Sequence, residues 1–463
     1  MITIKKIAIY AILTGAAGLF CSKMALAGIP IEHWTQASGV QVYLVQSPAI
    51  PMVDVQIDFD AGSRRDPPEQ AGLASVTASM TSKGVLASAR PVSGTAEPAL
   101  DENGLSEAWA DLGASFGAGA SSDRLSFSLR SLTYPDLLGK ATQLAARQLG
   151  EPAFPDAIWQ RERERLNAAI REANTRPATL AGRAFAAAVY GQHPYGFEMT
   201  EATLARISVA DMKALYSSLI LPCRAKVTIV GAVTREQADG LVTQLFSRLP
   251  ANASAGVPTA CPPLPAVAEV IPLDKPVEKR IAFDSAQAHV LIGQPGVKRS
   301  DPDFFALTVG NYILGGGGFV SRLSNEVRQK RGLSYSVYSY FSPGLHAGAF
   351  TLGLQTRPDQ ASQAVQVSRE VVASFVAKGP TETELQAAKD NLIGGFALRL
   401  DSNRKLLDNV ANMAWNDLPL DYLDTWTQQV QKVSVKDIRA AFARVLQPET
   451  MVTVVLGATE SAN

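Results

Sequence analysis

The residues of this 463-residue chain most suggestive of chemistry lie in its second half. Residues 314–340 read LGGGGFVSRLSNEVRQKRGLSYSVYSY, with Arg328 on a helical stretch and Tyr335 seven residues on, where a strand begins. A guanidinium and a phenol are both hydrogen-bond donors. Taken alone, an arginine on a helix and a tyrosine on a strand are ordinary structural residues. The run Gly315, Gly316, Gly317 and Gly318 invites a phosphate loop, but no Gly-Lys-Ser/Thr follows it, which removes the nucleotide reading. Four histidines, His33, His193, His289 and His346, are the whole supply of imidazole, and none has metal-ligand spacing to another.

The chain that must position these residues is large and balanced. It is 46% hydrophobic and 19% charged, with 43 basic and 43 acidic side chains. That composition excludes disorder, and the absence of a basic excess argues against a nucleic-acid binder. Its length suggests two domains. Lys5 and Lys6 precede an apolar run at 7–20, and Ala25-Leu26-Ala27 supplies a small-x-small cleavage site, so residues 1–27 are expected to be a signal peptide. The plainer alternative is an uncleaved anchor, for which the run is short. Cys21 follows the bulky Phe20, unlike a lipid-attachment site. The expected mature chain carries 40 basic and 43 acidic residues and no polybasic patch for lipid. Cys223 and Cys261 would then sit in an oxidising compartment, either bridged or as two thiols.

An internal repeat organises the rest. Residues 207–233 (ISVADMKALYSSLILPCRAKVTIVGAV) align without a gap to 433–459 (VSVKDIRAAFARVLQPETMVTVVLGAT) at an offset of 226. Ser208 and Ser434 are expected N-caps, Pro222 and Pro448 end the helices, and β-branched runs close at Gly231 and Gly457. A weaker match pairs VDVQIDFDAG near residue 53 with AHVLIGQPG near residue 288. Between the copies, 250–278 is rich in proline and small residues and reads as an extended linker. Strands early and helices late in each half predict an α+β fold of two duplicated domains, 28–249 and 279–463. Each would hold an antiparallel-rich sheet packed against several helices.

The segment 61–84, AGSRRDPPEQAGLASVTASMTSKG, resembles the opening of the pitrilysin or insulinase-like zinc metallopeptidases, the inverzincins, in which Gly-Leu-Ala leads into H-x-x-E-H on a helix. There, two histidines one turn apart hold zinc and the glutamate takes a proton from the metal-bound water. The corresponding positions here are Ser75, Ala78 and Ser79. The family's third ligand, a glutamate seven residues after the glutamate of an E-R-rich lead-in, falls on Arg171 when counted from Glu164. Glu172 is its neighbour, but points about 100° away around a helix. The run 160–174, QRERERLNAAIREAN, is therefore expected to be a solvated face laced with ion pairs. GQHPYGF at 191–197 resembles the family's His-Pro-Tyr-Gly turn, which makes His193 a turn residue.

The block at 314–340 is similar to the family's C-terminal domain, where an arginine and a tyrosine seven residues apart bind the substrate backbone across from zinc. Arg328 and Tyr335 match that pair, and Gly315–318 would allow close approach of substrate or partner backbone. The resemblance implies domains facing across a cavity. It also implies a periplasmic, non-catalytic subunit with no metal or cofactor of its own. A homologous zinc-bearing partner would bind zinc, and this chain would supply Arg328 and Tyr335 for peptide hydrolysis. No nucleic acid and, after signal cleavage, no membrane partner is expected. Two other readings compete: a peptide-binding or scaffolding protein with no part in hydrolysis, and an independent peptidase with a different metal site. The segment 86–103 is an insertion relative to the family.

Overall fold

The computed structural model describes residues 28–88, 97–250 and 261–457. The expected signal peptide lies outside the described residues, as do parts of the insertion and of the linker.

The first sheet contains β1 (Ile31–Thr35), β2 (Gln41–Gln46) and β3 (Met52–Phe59), joined later by β6 (Ser115–Ala120), β7 (Leu125–Leu132) and β8 (Lys226–Gly231). Between them, β4 (Gly84–Val85) and β5 (Leu100–Asp101) pair separately. The second sheet contains β9 (Val277–Ile281), β10 (Ala288–Pro295), β11 (Val337–Phe341), β12 (Ala349–Thr356) and β13 (Val452–Leu456). The orders are β1-β2-β8-β3-β7-β6 and β11-β12-β10-β13-β9. Read from opposite ends, β2-β8-β3-β7-β6 and β9-β13-β10-β12-β11 are the same arrangement. In each, the one parallel pair joins equivalent strands, β2 with β8 and β9 with β13. The α+β class and the duplication are thus present in the topology.

Local chemistry accounts for the repeat unit. The Ser208 and Ser434 side chains each accept a backbone N–H at the third helical position, while Asp211 and Asp437 reach back to the cap N–H, forming two capping boxes. The helices Val209–Leu219 and Val435–Val445 then stop before the prolines. The linker runs without helix or strand through 261–276, and β9 begins at Val277, two residues inside the expected linker. A parallel edge strand has no hairpin turn to mark it, so nothing local announces β9. Cys223 and Cys261 are bridged, with Cα atoms 5.6 Å apart. Arg224 and Arg65 donate to the Pro262 and Pro265 carbonyls, so the linker is held against the first half.

Each sheet packs its own helices on one face and a helix from the other half on the opposite face. The helix Pro177–Tyr190 lies on β10 and β13, and the helix Asn403–Trp415 lies on β8 and β3. These helices stand at the repeat offset of 226, so the exchange is reciprocal. Ala181, Phe185 and Val189 meet Val452, Val454 and Leu456, whereas Leu407, Val410 and Met413 meet Tyr43, Val45 and Val230. β8 and β13 are consequently buried on both faces, as largely β-branched runs that include the buried Thr228 and Thr453, whereas β7 alternates. Gly293 makes the fit possible, since a Cβ there would lie 2.8 Å from the Phe185 ring and 2.0 Å from the Phe350 carbonyl oxygen.

Candidate functional site

After β3, Asp60 accepts hydrogen bonds from both Arg64 (2.5 Å) and Arg65 (2.6 Å), fixing the turn. Asp66 then turns back and accepts the N–H groups of Gly72 and Ala74, each at 2.9 Å, capping the helix Leu73–Met80. Burial pushes its carboxyl up to about 6, against the pull of those hydrogen bonds. Gly72 has φ +107°, and a Cβ there would sit 2.7 Å from the Met199 side chain. On this helix Ser75 is half-buried, Ala78 is buried, and the exposed Ser79 donates to the Val76 carbonyl at 2.9 Å. Arg171, near the end of the helix Asp156–Ala173, pairs with Glu201 at 2.5 Å, and Glu172 pairs with Arg176.

Two hydroxyls, a methyl and a guanidinium make no zinc site: alcohols are poor ligands, alanine is no base, and a paired cation repels the metal. Among the described residues no group of three or more His, Cys, Asp or Glu is placed to hold a metal. The Glu/Arg run carries ion pairs as expected, but several reach other elements. Arg161 binds Glu102 at 2.5 Å, and Lys83 approaches Glu162 at 3.5 Å.

The corresponding element of the second half is wound differently. Tyr312–Gly316 and Ser324–Gln329 are both π-helical turns, a widened winding that recurs at functional sites. Most of the glycine run serves the packing of its own domain. A Cβ at Gly315 would meet Ser339 Oγ at 2.3 Å, at Gly316 Asn311 Nδ2 at 2.8 Å, and at Gly317 the Tyr312 carbonyl at 2.7 Å. Gly318, at φ +62°, faces open space. Arg322 anchors the turn through a bidentate bond to Glu384, 2.7 Å on each side, and holds that carboxyl down at about 2.

Arg328 and Tyr335 do come together. The guanidinium lies 4.9 Å from the Tyr335 ring centroid and 4.1 Å from that of Phe319. The nearby carboxylate of Glu326 is occupied by Lys330 and Arg331, each at 2.6 Å. Neither the Arg328 guanidinium nor the Tyr335 hydroxyl has a hydrogen-bond or ion-pair partner among the described residues, and Tyr335 is 79% exposed. The pair is stacked, accessible and unsatisfied. Phe319 escaped the sequence reading; its only signal was a bulky aromatic directly after four glycines.

The histidines sit in different settings, with His193 at the expected turn. His33 stacks on Tyr43, with centroids 4.4 Å apart, and His289 is half-buried on β10. His193 is a turn residue whose Nδ1 accepts the Tyr195 N–H at 3.1 Å, yet its ring lies 5.1 Å from that of His346 across the junction of the halves. His346 therefore does not stand alone. Around it Asp123 accepts from Tyr195 (2.6 Å), Arg64 (3.1 Å) and the Leu345 N–H (3.0 Å), and His346 pairs with Glu269 of the linker.

Comparison with known proteins covers both halves, although the second match begins within the first half and crosses the linker. Residues 41–203 match the family described as insulinase (peptidase family M16), and residues 206–392 match the peptidase M16 inactive domain. A peptidase M16 inactive domain structure from Pseudomonas fluorescens superposes with TM-score 0.84 and 31% identity, covering 94% of this chain and 99% of that one. An uncharacterized zinc protease of Mycobacterium leprae is 30% identical over 64% of this chain. The non-peptidase homolog YmxG of Helicobacter pylori is 37% identical over 36% of this chain. These alignments span 65% and 38% of the two relatives' own lengths. With both family domains matched in sequence and the fold matched over nearly the whole chain, this protein belongs to the M16 peptidase family, the insulinases and pitrilysins.

Proposed function

We propose that this chain is the non-catalytic subunit of a periplasmic zinc-dependent peptidase heterodimer, supplying Arg328 and Tyr335 to a homologous zinc-bearing partner. The observation that carries the reading is the contrast within one chain: a zinc frame with no ligand, and a half-buried Arg328 stacked on an exposed Tyr335, neither with a hydrogen-bond partner for its side-chain donors among the described residues. Zinc held by the partner would supply the activated water. Arg328 would donate in the plane of its guanidinium to a substrate backbone carbonyl, and the Tyr335 hydroxyl would donate to the same peptide, both strengthening as the oxygen gains charge. Gly318, in open space next to them, would admit the substrate backbone. The bridge between Cys223 and Cys261 supports an oxidising compartment, and no helix of the described residues is long and apolar enough to cross a membrane.

The test is reconstitution with the M16 homologue of the same genome that carries H-x-x-E-H, followed by an assay of peptide hydrolysis. Neither chain alone should hydrolyse the peptide, and the mixture should. Full activity of a mixture carrying Arg328→Ala and Tyr335→Phe would defeat the shared-site reading. A genome with no such homologue would favour a peptide-binding or scaffolding protein.

A further inference from the structure

Phe319 and Val320 follow the glycine run and are 61% and 79% exposed, beside an equally exposed Tyr335. Isolated apolar side chains on a surface need no explanation, but two exposed rings against a guanidinium without an ion-pair partner among the described residues, with an exposed Val320 next in the chain, do. The turn that presents Phe319 is tied down. Gly318 supplies the positive φ, Ser321 returns both its N–H and its hydroxyl to the Gly318 carbonyl, and Gln329 donates to the Phe319 carbonyl at 3.1 Å. Phe319 is thereby fastened to the same π-turn that carries Arg328, with its ring 4.1 Å from the guanidinium. A ring at that distance restrains the plane of the guanidinium by cation–π attraction. It covers part of a guanidinium face while leaving N–H donors for an in-plane acceptor.

We infer that Phe319 is a positioning and specificity residue: it holds the Arg328 guanidinium and, with Val320, forms an apolar shelf for one bulky apolar side chain of an extended peptide. The ligand class is an unstructured peptide with an aromatic or large aliphatic residue next to the carbonyl that Arg328 binds. This rests on the assignment of Arg328 and Tyr335 to peptide binding.

The test uses the purified chain and fluorescently labelled, unstructured ten-residue peptides of about equal charge, differing only in a central Phe, Leu or Ser, with binding read by anisotropy. A half-exposed shelf is worth about fivefold in affinity for Phe over Ser. Phe319→Ala should reduce that ratio to about one, and Phe319→Trp should keep it. Arg328→Ala should weaken the Phe and Ser peptides alike and leave their ratio standing. Equal affinity of the unaltered chain for Phe and Ser peptides overturns the inference, as does a Phe319→Ala chain that keeps the ratio. Binding that is unchanged by both Arg328→Ala and Tyr335→Phe, or no binding of any peptide, removes the underlying reading instead. Phe319 is too exposed for its loss to unfold the chain, and an unchanged melting temperature serves as the control.

Discussion

The helix bearing Ser75 and the π-turn bearing Arg328 lie in halves of the same strand order, yet they use their polar groups in opposite ways. On the Ser75 helix the side chains serve their own fold: Ser79 returns its proton to Val76, Ala78 is packed away, Asp66 is spent on the cap, and Arg171 is matched by Glu201. On the Arg328 turn the supporting bonds are made by neighbours. Arg322 takes Glu384, while Lys330 and Arg331 take Glu326, and the Arg328 guanidinium and Tyr335 hydroxyl are left without a hydrogen-bond partner among the described residues. A donor whose hydrogen bonds are not used within its own domain is free to make them elsewhere, and this separates the two frames more sharply than composition does.

The largest effect expected from that contrast is on activity. In a reconstituted complex Arg328→Ala should lower peptide turnover by about 100-fold or more, the range for losing one oxyanion donor, while changing stability by less than about 0.5 kcal/mol. Steady-state kinetics with a parallel urea titration would check both. A stability loss of several kcal/mol would mean that Arg328 is structural after all. The reverse pattern is expected at Ala78. Ala78→Glu, which puts back the family's acid, should destabilise the chain by about 3 kcal/mol or more, because Ala78 is 1% exposed and no cation or metal awaits the carboxylate. If that variant is as stable as the parent, the frame is not collapsed in the way described.

Breaking the bridge between Cys223 and Cys261 comes next. Its 38-residue separation gives a loss of about 3–4 kcal/mol on the chain-entropy model, less where the reduced chain stays compact. Thermal melts of Cys261→Ser with and without reductant would measure it, with no added effect of reductant on the variant.

The smallest effects concern two carboxyls, one in each frame, whose pH dependences run in opposite senses. Glu384 is held at about 2, below its ordinary 4.5. Its stabilisation is therefore complete above 4.5 and is lost as pH falls towards 2. Glu384→Gln should cost about 1–2 kcal/mol at pH 7, allowing for solvent screening, and progressively less below pH 4.5. Asp66 is raised from 3.8 to about 6, so the protonated carboxyl favours folding below 3.8 and that advantage disappears as pH rises through 6. Asp66→Asn should therefore cost more at pH 4 than at pH 8, by about 2 kcal/mol. Urea midpoints across this range would show the two trends crossing, and parallel trends would erase the distinction between the frames.

Much of this was legible in sequence, and what was legible was local. Capping serines three residues before an acid, prolines at helix ends and β-branched runs closed by glycine each depend on a few neighbouring residues, so the offset of 226 carried over to helices and strands alike. The vacant zinc positions were readable for the same reason, as spacing along one helix. The features missed or left open join distant parts of the chain. That His193 lies against His346, that Phe319 stacks on Arg328, that Cys223 meets Cys261 and that β9 pairs with β13 are all consequences of the assembled fold. The glycine run shows the limit within a single motif. Its sequence suggested room for a visitor, whereas three of its members are glycine because Ser339, Asn311 and Tyr312 leave no room for a Cβ.

The reciprocal helix exchange has a consequence for how the chain reaches this state. When the first half has been synthesised, β3 and β8 still lack one cover, because the helix Asn403–Trp415 lies far downstream. The nascent first half is thus an unfinished object, with Tyr43, Val45 and Val230 uncovered beside the polar Asp54, Gln56, Asp58 and Thr228, and closing it requires a long loop. The two halves should therefore melt in one transition rather than two, and either half produced alone should aggregate or pair with a second copy through the vacated face. A single-domain ancestor with this topology would have met the same need by exchanging helices between two identical chains, and duplication would have turned that symmetric dimer into one polypeptide.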